Sequence, residues 1–217
     1  MTAENFVKVW REPDLHDAEM LKGAYAHHAY PSHSHEELSL GLVIDGAIRL
    51  KTRRAEGIAK AGSFVLINSD EIHQGAPAVK DGWRCRTIHL LPSAIISVAE
   101  QILDRSVSEL PQFDGPTFED PELSGELLAL HRRAEQGSSV LERQTYISVV
   151  IARLLVRHSA VPTKMPKLDG DEPLAVTRAR DYLDEHLAEK ITLDQLSLIA
   201  GLPPFRVCCA PSSVLLV

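Results

Sequence analysis

The residues best suited to chemistry in this sequence are three histidines in two short segments. His33 and His35 alternate along the chain, so in an extended strand both imidazoles point to the same side. His73 follows a later apolar stretch at residues 63–67. Imidazole is a common metal ligand, and three imidazoles can hold a metal ion with one position left open. Alternatively, the three side chains line a pocket as hydrogen-bonding groups for an organic ligand.

Other residues can face the same cavity from neighbouring strands. Tyr25 precedes the histidine pair, and Trp83 begins a later strand. Alternate residues of that strand share a face with Trp83, namely Cys85, Thr87 and His89. Only one face of each strand points inward, and the sequence leaves open which face that is. Trp83 can equally well fill the core. The candidate ligand-binding residues are His33, His35, His73, Tyr25 and Trp83.

The elements that must position these residues are predicted to be strands. From about residue 20 to residue 92, apolar and polar positions alternate between frequent turn signals. The strongest signal is Asp45-Gly46, which is typical of a two-residue hairpin turn and is expected to join residues 38–44 to residues 47–53. Many short strands at this spacing predict a barrel or a sandwich.

After residue 92 the apolar residues take a helical spacing. Asp120 followed by proline predicts a helix start, and Ser139 with Glu142 predicts a capping box at the next helix. That helix, which runs to about His158, is apolar on more than one side and needs more than one covering surface. We therefore expect a two-fold dimer seam; the alternative is that these helices pack only on each other and on the barrel. The seam would also include Leu123, Leu127 and Leu130.

A linker and a second small unit are predicted at the end of the chain. Residues 159–173 contain three prolines and a glycine and show no apolar period. Two helices follow, and Thr192 with Gln195 forms another predicted capping box. Gly201 permits a sharp turn after the second helix.

The two histidine segments resemble the two motifs of the cupin barrel. His33, His35 and Gly46 match the first motif, and Gly62 and His73 match the second. The resemblance implies a β-barrel whose interior holds the histidines. In cupins that bind a metal ion, the same histidines are ligands.

One position departs from the cupin pattern in a way that bears on metal binding. Ser39 stands where the cupin glutamate ligand is expected. A carboxylate normally completes an iron or manganese site, and Glu37 shares a face with His33 and His35 and is a substitute. Because the carboxylate is missing, we expect no cofactor, and we keep His33, His35 and His73 as candidate metal ligands.

Longer stretches resemble regulators of the AraC type from Tyr25 onward. Residues 70–75 and the strand at residues 81–86 are similar to segments of the sensing domains in that family, and residues 191–202 resemble the first helix and turn of its helix-turn-helix. The resemblance implies an effector pocket inside the barrel. It also implies that residues at the start of the recognition helix contact DNA: Pro204, Phe205 and Arg206.

The family pattern stops after Val207. Two cysteines, an alanine and Pro211 follow, and a proline there would end the recognition helix early. Residues 171–217 also carry more acidic than basic side chains, which is unfavourable for phosphate contacts. We therefore expect impaired operator binding.

Composition restricts the class of protein. The formal net charge of −7 gives the chain as a whole no bias toward nucleic acid, although a basic patch can lie on an acidic protein. Three cysteines, two of them adjacent, fit reduced thiols better than a disulfide framework. No apolar run approaches membrane-spanning length, and the start does not resemble a signal peptide. We expect a cytoplasmic protein with no membrane partner.

Together these features predict a mainly β fold with added helices. The expected parts are a cupin-like ligand-sensing barrel at residues 1–92, a helical dimerisation segment at 93–158, a linker at 159–173 and an incomplete helix-turn-helix domain at 174–217. The expected function is ligand-responsive transcriptional regulation of the AraC type, without enzyme activity. Its partners would be a small-molecule effector, operator DNA and a second copy of the chain. The alternative is a metal-dependent cupin enzyme, such as an oxygenase or isomerase.

Overall fold

The architecture is a β-barrel followed by helices, which confirms the predicted fold class. It is taken from a computed structural model, which describes residues 5–160 and 172–208. Most of the expected linker and residues 209–217, including Pro211, lie outside the described residues. The strands are β1 (Phe6–Glu12), β2 (Ala18–Tyr25), β3 (Tyr30–His33), β4 (Leu38–Thr52), β5 (Glu56–Lys60), β6 (Ser63–Ile67), β7 (His73–Pro77), β8 (Trp83–Leu90) and β9 (Thr117–Glu119).

The strands form two connected antiparallel layers around a shared interior. In the first layer the order is β1-β2-β8-β4-β6-β9. In the second layer β5 and β7 pair with the far half of β4, and β3 pairs with β7. Because β4 belongs to both layers, it turns the sheet around the interior and carries the two layers into position opposite each other.

The hairpin turn predicted at Asp45-Gly46 is wrong, because both residues lie inside the single long strand β4. The register with β8 shifts between Val43 and Asp45, which marks a β-bulge. Gly46 has φ of +72° there, and the backbone N–H of Ala47 donates to the carbonyl of Gly82. A side chain at Gly46 would overlap that carbonyl oxygen. Glycine therefore serves a bulge and a close backbone approach, not a chain reversal.

Helices follow the barrel, with one return to the sheet. They are α1 (Pro92–Leu103), α2 (Pro121–Gln136), α3 (Val140–His158), α4 (Glu172–Glu185), α5 (Leu193–Ala200) and α6 (Pro204–Cys208). Between α1 and α2, β9 pairs with β6 and adds a strand that the helical pattern did not predict. Within the described residues, no helix is long and apolar enough to span a membrane.

The predicted helix starts are confirmed at atomic detail. The Asp120 carboxylate accepts from the N–H of Leu123, and the Ser139 hydroxyl accepts from the N–H of Glu142. The capping box predicted at Ser139 is only half formed, because the Glu142 carboxylate accepts from Arg133 instead. Thr192 and Gln195 form a complete capping box. These caps satisfy backbone donors that the first turn of a helix cannot pair.

The apolar face of α3 is covered inside the chain. The helix packs against α1, α2, α5 and α6 and against the 3₁₀ turn Pro13–Leu15. Ile151 and Leu154 of α3 are fully buried. The same holds for the expected seam residues Leu123, Leu127 and Leu130. The dimer seam predicted at these residues is therefore wrong, because the C-terminal helices supply the additional covering surface. Homodimer formation stays a prediction.

The C-terminal helices dock onto this helical layer. Phe205 of α6 is buried in the same core cluster as α1 and α3. Two glutamine side chains accept hydrogen bonds from backbone N–H groups: Gln101 from Phe205 at 2.8 Å and Gln144 from Leu193 at 2.7 Å. The contact thus combines apolar burial with directed hydrogen bonds.

Candidate functional site

A cavity of about 160 Å³ opens inside the barrel and is lined by residues of both layers. The structure brings all five candidate ligand-binding residues to its wall: His33, His35, His73, Tyr25 and Trp83. Apolar side chains of β4 and β6, such as Val43, Leu50 and Val65, complete much of the lining. The cavity therefore has the composition usual for small-molecule sites, with a mostly apolar surface and a few placed polar groups.

The histidines gather at one end of the cavity. His33 and His73 are cross-strand partners on β3 and β7, and their ring centroids lie 4.2 Å apart. His35 follows the end of β3, with its ring 4.9 Å from that of His73. Each of the three residues offers one ligand atom, and these atoms all lie within 4.8 Å of one another.

Backbone carbonyls fix which nitrogen of each imidazole faces the cavity. The Nδ1 atoms of His33, His35 and His73 each lie 2.8 Å from a carbonyl oxygen, of Pro31, Glu37 and Glu71 respectively. A carbonyl oxygen only accepts hydrogen bonds, so Nδ1 carries the proton and donates. Each Nε2 is left with a free lone pair. This is the arrangement by which proteins orient histidines that bind a metal ion, so the residues present fit a transition-metal ion.

Burial keeps His73 uncharged near neutral pH. Desolvation lowers the pKa of His73 below its ordinary value, and the neighbouring His33 and His35 lower it further. Neutral imidazole is the form that accepts hydrogen bonds or binds a metal ion.

Glu37 does not complete the histidine set. Its carboxylate lies 4.0 Å from Nδ1 of His35, the nitrogen that already donates to the Glu37 carbonyl. Glu37 is therefore on the side of the ring away from Nε2, and it is absent from the cavity lining. The expected substitution of Glu37 for the missing carboxylate is not supported by this placement.

His89 is a fourth imidazole in the cavity, and the candidate set omitted it. The inward face of β8 carries Trp83, Cys85, Thr87 and His89, which settles the alternative that the sequence left open. The ring of His89 lies 5.3 Å from that of His35 at an interplanar angle of 90°. Burial lowers the pKa of His89 to about 4, and the nearby His35 adds to the effect. The sequence signal for His89 is strand alternation, which places it on the same face of β8 as Trp83.

Aromatic rings form a second part of the cavity wall. Tyr25 stacks on Trp83 with ring centroids 4.7 Å apart, and Tyr30 meets Tyr25 edge-on at 5.4 Å. Burial, with a contribution from Tyr30, raises the pKa of Tyr25 well above its ordinary value, so the phenol stays protonated. A ligand would meet flat apolar surfaces here and imidazoles beside them, since the Tyr30 ring lies 6.1 Å from that of His33.

The three candidate DNA-binding residues lie on α6. Pro204 begins the helix, and Pro204 and Arg206 are partly buried. Phe205 is 1% exposed and packs toward α1 and α3. In this arrangement its side chain is unavailable to a DNA duplex, contrary to the expectation from sequence.

Comparison with known proteins supports a sensing domain. Residues 17–150 match the family model of the AraC-like ligand-binding domain, a range that runs from β2 through α1 and α2 into the first half of α3. The chain belongs to this family. The family model includes all five candidate ligand-binding residues but stops before α4.

Individual relatives are more distant. The chain is 26% identical over 201 residues to an uncharacterized HTH-type transcriptional regulator, YbfI, of Bacillus subtilis, covering 88% of this chain and 67% of that protein. A cupin superfamily protein of Desulfitobacterium hafniense is 12% identical with a TM-score of 0.37, covering 42% of this chain and 81% of its own. A cupin 2 conserved barrel domain protein of Salinispora arenicola is 15% identical with a TM-score of 0.36, covering 42% and 78%.

Proposed function

We propose that this protein is a ligand-responsive regulator of bacterial transcription, acting in the cytoplasm and not as an enzyme. The observation that carries the proposal is the cavity, which lies inside a domain of the AraC-like ligand-binding family. A relative over most of the chain is an HTH-type transcriptional regulator. The helix pair α5 and α6, separated by the turn at Gly201, supplies the corresponding element in this chain.

The effector of this regulator is a small molecule with an apolar body and a polar end. The body lies against Trp83 and the aliphatic lining, and Tyr25 offers a phenol as donor. The polar end meets the Nε2 atoms of His33, His35 and His73, which accept hydrogen bonds. Operator DNA is the proposed macromolecular partner. Its affinity for this chain is expected to be low, because residues 172–208 carry four basic and six acidic side chains.

A route from the cavity to the DNA-binding helices follows from the packing. β8 lines the cavity and leads directly into α1, which carries Gln101. Gln101 accepts from the backbone of Phe205 on α6. An effector that displaces β8 or α1 would therefore alter the docking of α6. Ligand control requires that the effector bind more tightly to one of two arrangements of this contact.

A second candidate function is a metal-dependent cupin enzyme. The three fixed Nε2 lone pairs favour it, since they suit a metal ion with open positions. The fate of a bound ligand separates the two functions. A regulator returns its effector unchanged after prolonged incubation, whereas an enzyme converts it, and chromatography with mass spectrometry distinguishes these results.

The test of the proposed function is a thermal-shift screen of small metabolites with the whole chain. A true effector raises the melting temperature by mass action. His73→Ala should weaken binding of that effector roughly tenfold, since one lost hydrogen bond from a buried group costs about 1–3 kcal/mol. His27→Ala, at an exposed histidine outside the cavity lining, is the matched control and should leave the shift unchanged. A shift that survives His73→Ala intact would remove the cavity as the effector site.

The output of the regulator is measured with the effector found in that screen. Fluorescence anisotropy with the upstream DNA of the gene, with and without effector, tests whether occupancy changes DNA binding. A ligand that binds the cavity and leaves DNA affinity unchanged at every concentration contradicts the regulatory part of the proposal.

A further inference from the structure

The four imidazoles of the cavity differ in how they are held. Those of His33, His35 and His73 each donate Nδ1–H to a carbonyl oxygen. No hydrogen bond within the described residues holds the ring of His89, which projects from β8 into the same space. Three rings are thus fixed through Nδ1, and the fourth is held by no such bond. Among the described residues only the ligand atoms of His33, His35 and His73 lie within 4.8 Å of one another, so His89 must turn before it can join them.

We propose that His89 joins His33, His35 and His73 in binding one divalent transition-metal ion, with His89 as the fourth ligand. This replaces the expectation from sequence that the cavity needs no cofactor, which rested on the missing carboxylate.

The spacing of the rings supports a common ion. Ring centroids within the fixed set lie between 4.2 Å and 6.0 Å apart, and the separation of 5.3 Å between His35 and His89 falls inside this range. The ring of His89 is therefore as close to that of His35 as the three fixed rings are to one another. A turn of its side chain, with no hydrogen bond to break, would direct a nitrogen at the shared space.

The strand register explains why there is room for a fourth ring. His89 on β8 and Ser39 on β4 are directly opposite partners, and both line the cavity. Directly opposite side chains of an antiparallel pair lie on one face within about 4.5–5.5 Å of each other at Cβ. The small Ser39 hydroxymethyl group leaves the adjacent volume to the imidazole. A large side chain at Ser39 would compete for that volume.

The donor set restricts which metal the site takes. Four imidazole nitrogens suit zinc, copper, nickel or iron, whereas magnesium and calcium require oxygen ligands. The aromatic end of the cavity, at Tyr25 and Trp83, stays open for an organic ligand. An ion in this position would suit either a sensing or a catalytic cavity. It would occupy the Nε2 lone pairs of His33, His35 and His73, so the polar end of an effector would then bind the ion in place of the imidazoles.

The experiment begins with the whole chain freed of metal by a chelator and titrated with Co²⁺, whose visible absorption reports the ligand set. We expect one ion per chain. His35→Ala should abolish tight binding. His89→Ala should weaken it at least about tenfold and change the visible spectrum, since even residues behind the ligands cost about 10–100-fold when removed. His27→Ala is the matched control and should behave as the wild type.

A double variant distinguishes the loss of a metal ligand from a general loss of the folded structure. Ser39→Glu combined with His89→Ala places a carboxylate on the partner strand and should recover most of the affinity for Co²⁺. X-ray absorption on the zinc-loaded wild type counts the imidazoles around the ion without any variant, and four are expected. Three imidazoles, an absence of stoichiometric metal, or wild-type affinity in His89→Ala would each overturn the proposal. If one of these results is found, effector binding by the metal-free protein would still leave the proposed regulatory function standing.

Discussion

At the scale of single residues, short contacts with the backbone decide what the histidines of this protein can do. Three of them donate Nδ1–H to carbonyl oxygens, which directs their remaining lone pairs into the cavity. His131 on α2 has a different environment. It is fully buried beside Trp10, and neither ring nitrogen has a hydrogen bond of good geometry. Histidine is thus a candidate binding residue in the cavity and a buried neutral ring on α2.

The buried His131 makes stability depend on pH. Desolvation, assisted by Arg86, lowers its pKa from the ordinary 6.5 to about 3. Above pH 6.5 the ring is neutral in both folded and unfolded chains and has no effect. As pH falls below that value, the unfolded chain takes up the proton and the folded chain does not until about pH 3, so the free energy of unfolding decreases.

His131→Leu should remove this contribution. When the pH is lowered from about 7 to 5, the free energy of unfolding of the wild type should decrease. In the variant this decrease should be smaller by roughly 1–2 kcal/mol. Urea unfolding at both pH values measures this difference, and His27→Leu at an exposed position is the control. Equal pH dependence in wild type and His131→Leu would show that the ring is protonated in the folded chain.

At the scale of elements, β4 organises the barrel. Its first half pairs with β6 and β8, and its second half pairs with β5 and β7. The bulge before Gly46 lies where the strand passes from one layer to the other. The cavity exists because a single strand bends there without ending.

Gly46→Ala should destabilise the barrel strongly. The residue would have to keep φ of +72° and its Cβ would overlap the carbonyl of Gly82. We expect a loss of at least about 3 kcal/mol, from backbone strain of about 1–2 kcal/mol plus the steric clash. Gly115→Ala is the matched control, with φ of +70° and no atom within 4 Å of the added Cβ. It should lose only about 1–2 kcal/mol. Chemical denaturation measures both, and equal losses would contradict the role given to the close approach.

The docking of α6 is a second property at this scale. Phe205→Ala should cost about 3–5 kcal/mol if the core stays as described, since the ring is fully buried. The loss should fall on the docked helices, so hydrogen exchange of α5 and α6 should speed up more than that of the barrel. Leu198→Ala, which removes a side chain that is 82% exposed on α5, is the control and should change little. Unchanged exchange in Phe205→Ala would mean that α6 is not held by this contact.

At the scale of the whole molecule, α6 joins the C-terminal helices to the sensing domain. Its Phe205 lies in the main core with α1 and α3, whereas α4 and α5 form a second, smaller core with Val207. α3 is covered on one side by α1 and α2 and on another by α5 and α6. Residues 172–208 carry four basic and six acidic side chains, which is an unfavourable balance for DNA while α6 stays docked. Impaired operator binding stays a prediction.

Leu154→Glu should unfold the helical layer and not merely separate subunits. Leu154 is fully buried, and an ionised carboxylate there has no partner, so the loss should exceed about 3 kcal/mol. Circular dichroism with sedimentation distinguishes unfolding from a change in oligomeric state. Val149→Glu, at a partly exposed position on the same helix, should keep the fold and is the control. A folded monomer of Leu154→Glu beside a dimeric wild type would restore the original seam.

Local features of this protein could be predicted from sequence because they depend on neighbours along the chain. Alternation placed Trp83 and His89 on one face, and the side-chain caps at Asp120, Ser139 and Thr192 act within one helical turn. Resemblance in the histidine segments predicted the barrel and its cavity-facing imidazoles. The family match at residues 17–150 confirms the type of domain.

Tertiary structure decided the features that depend on distant neighbours. Asp45-Gly46 can form a turn or a bulge, and the approach of the Gly82 backbone selected the bulge. The wide apolar face of α3 required a cover, and α5 and α6 supplied it in place of a second chain. The inward face of β8 depended on pairing with β2 and β4. In each case the sequence requires a particular backbone angle or the burial of an apolar surface. Several arrangements meet that requirement, and only the packing of the whole chain selects one of them.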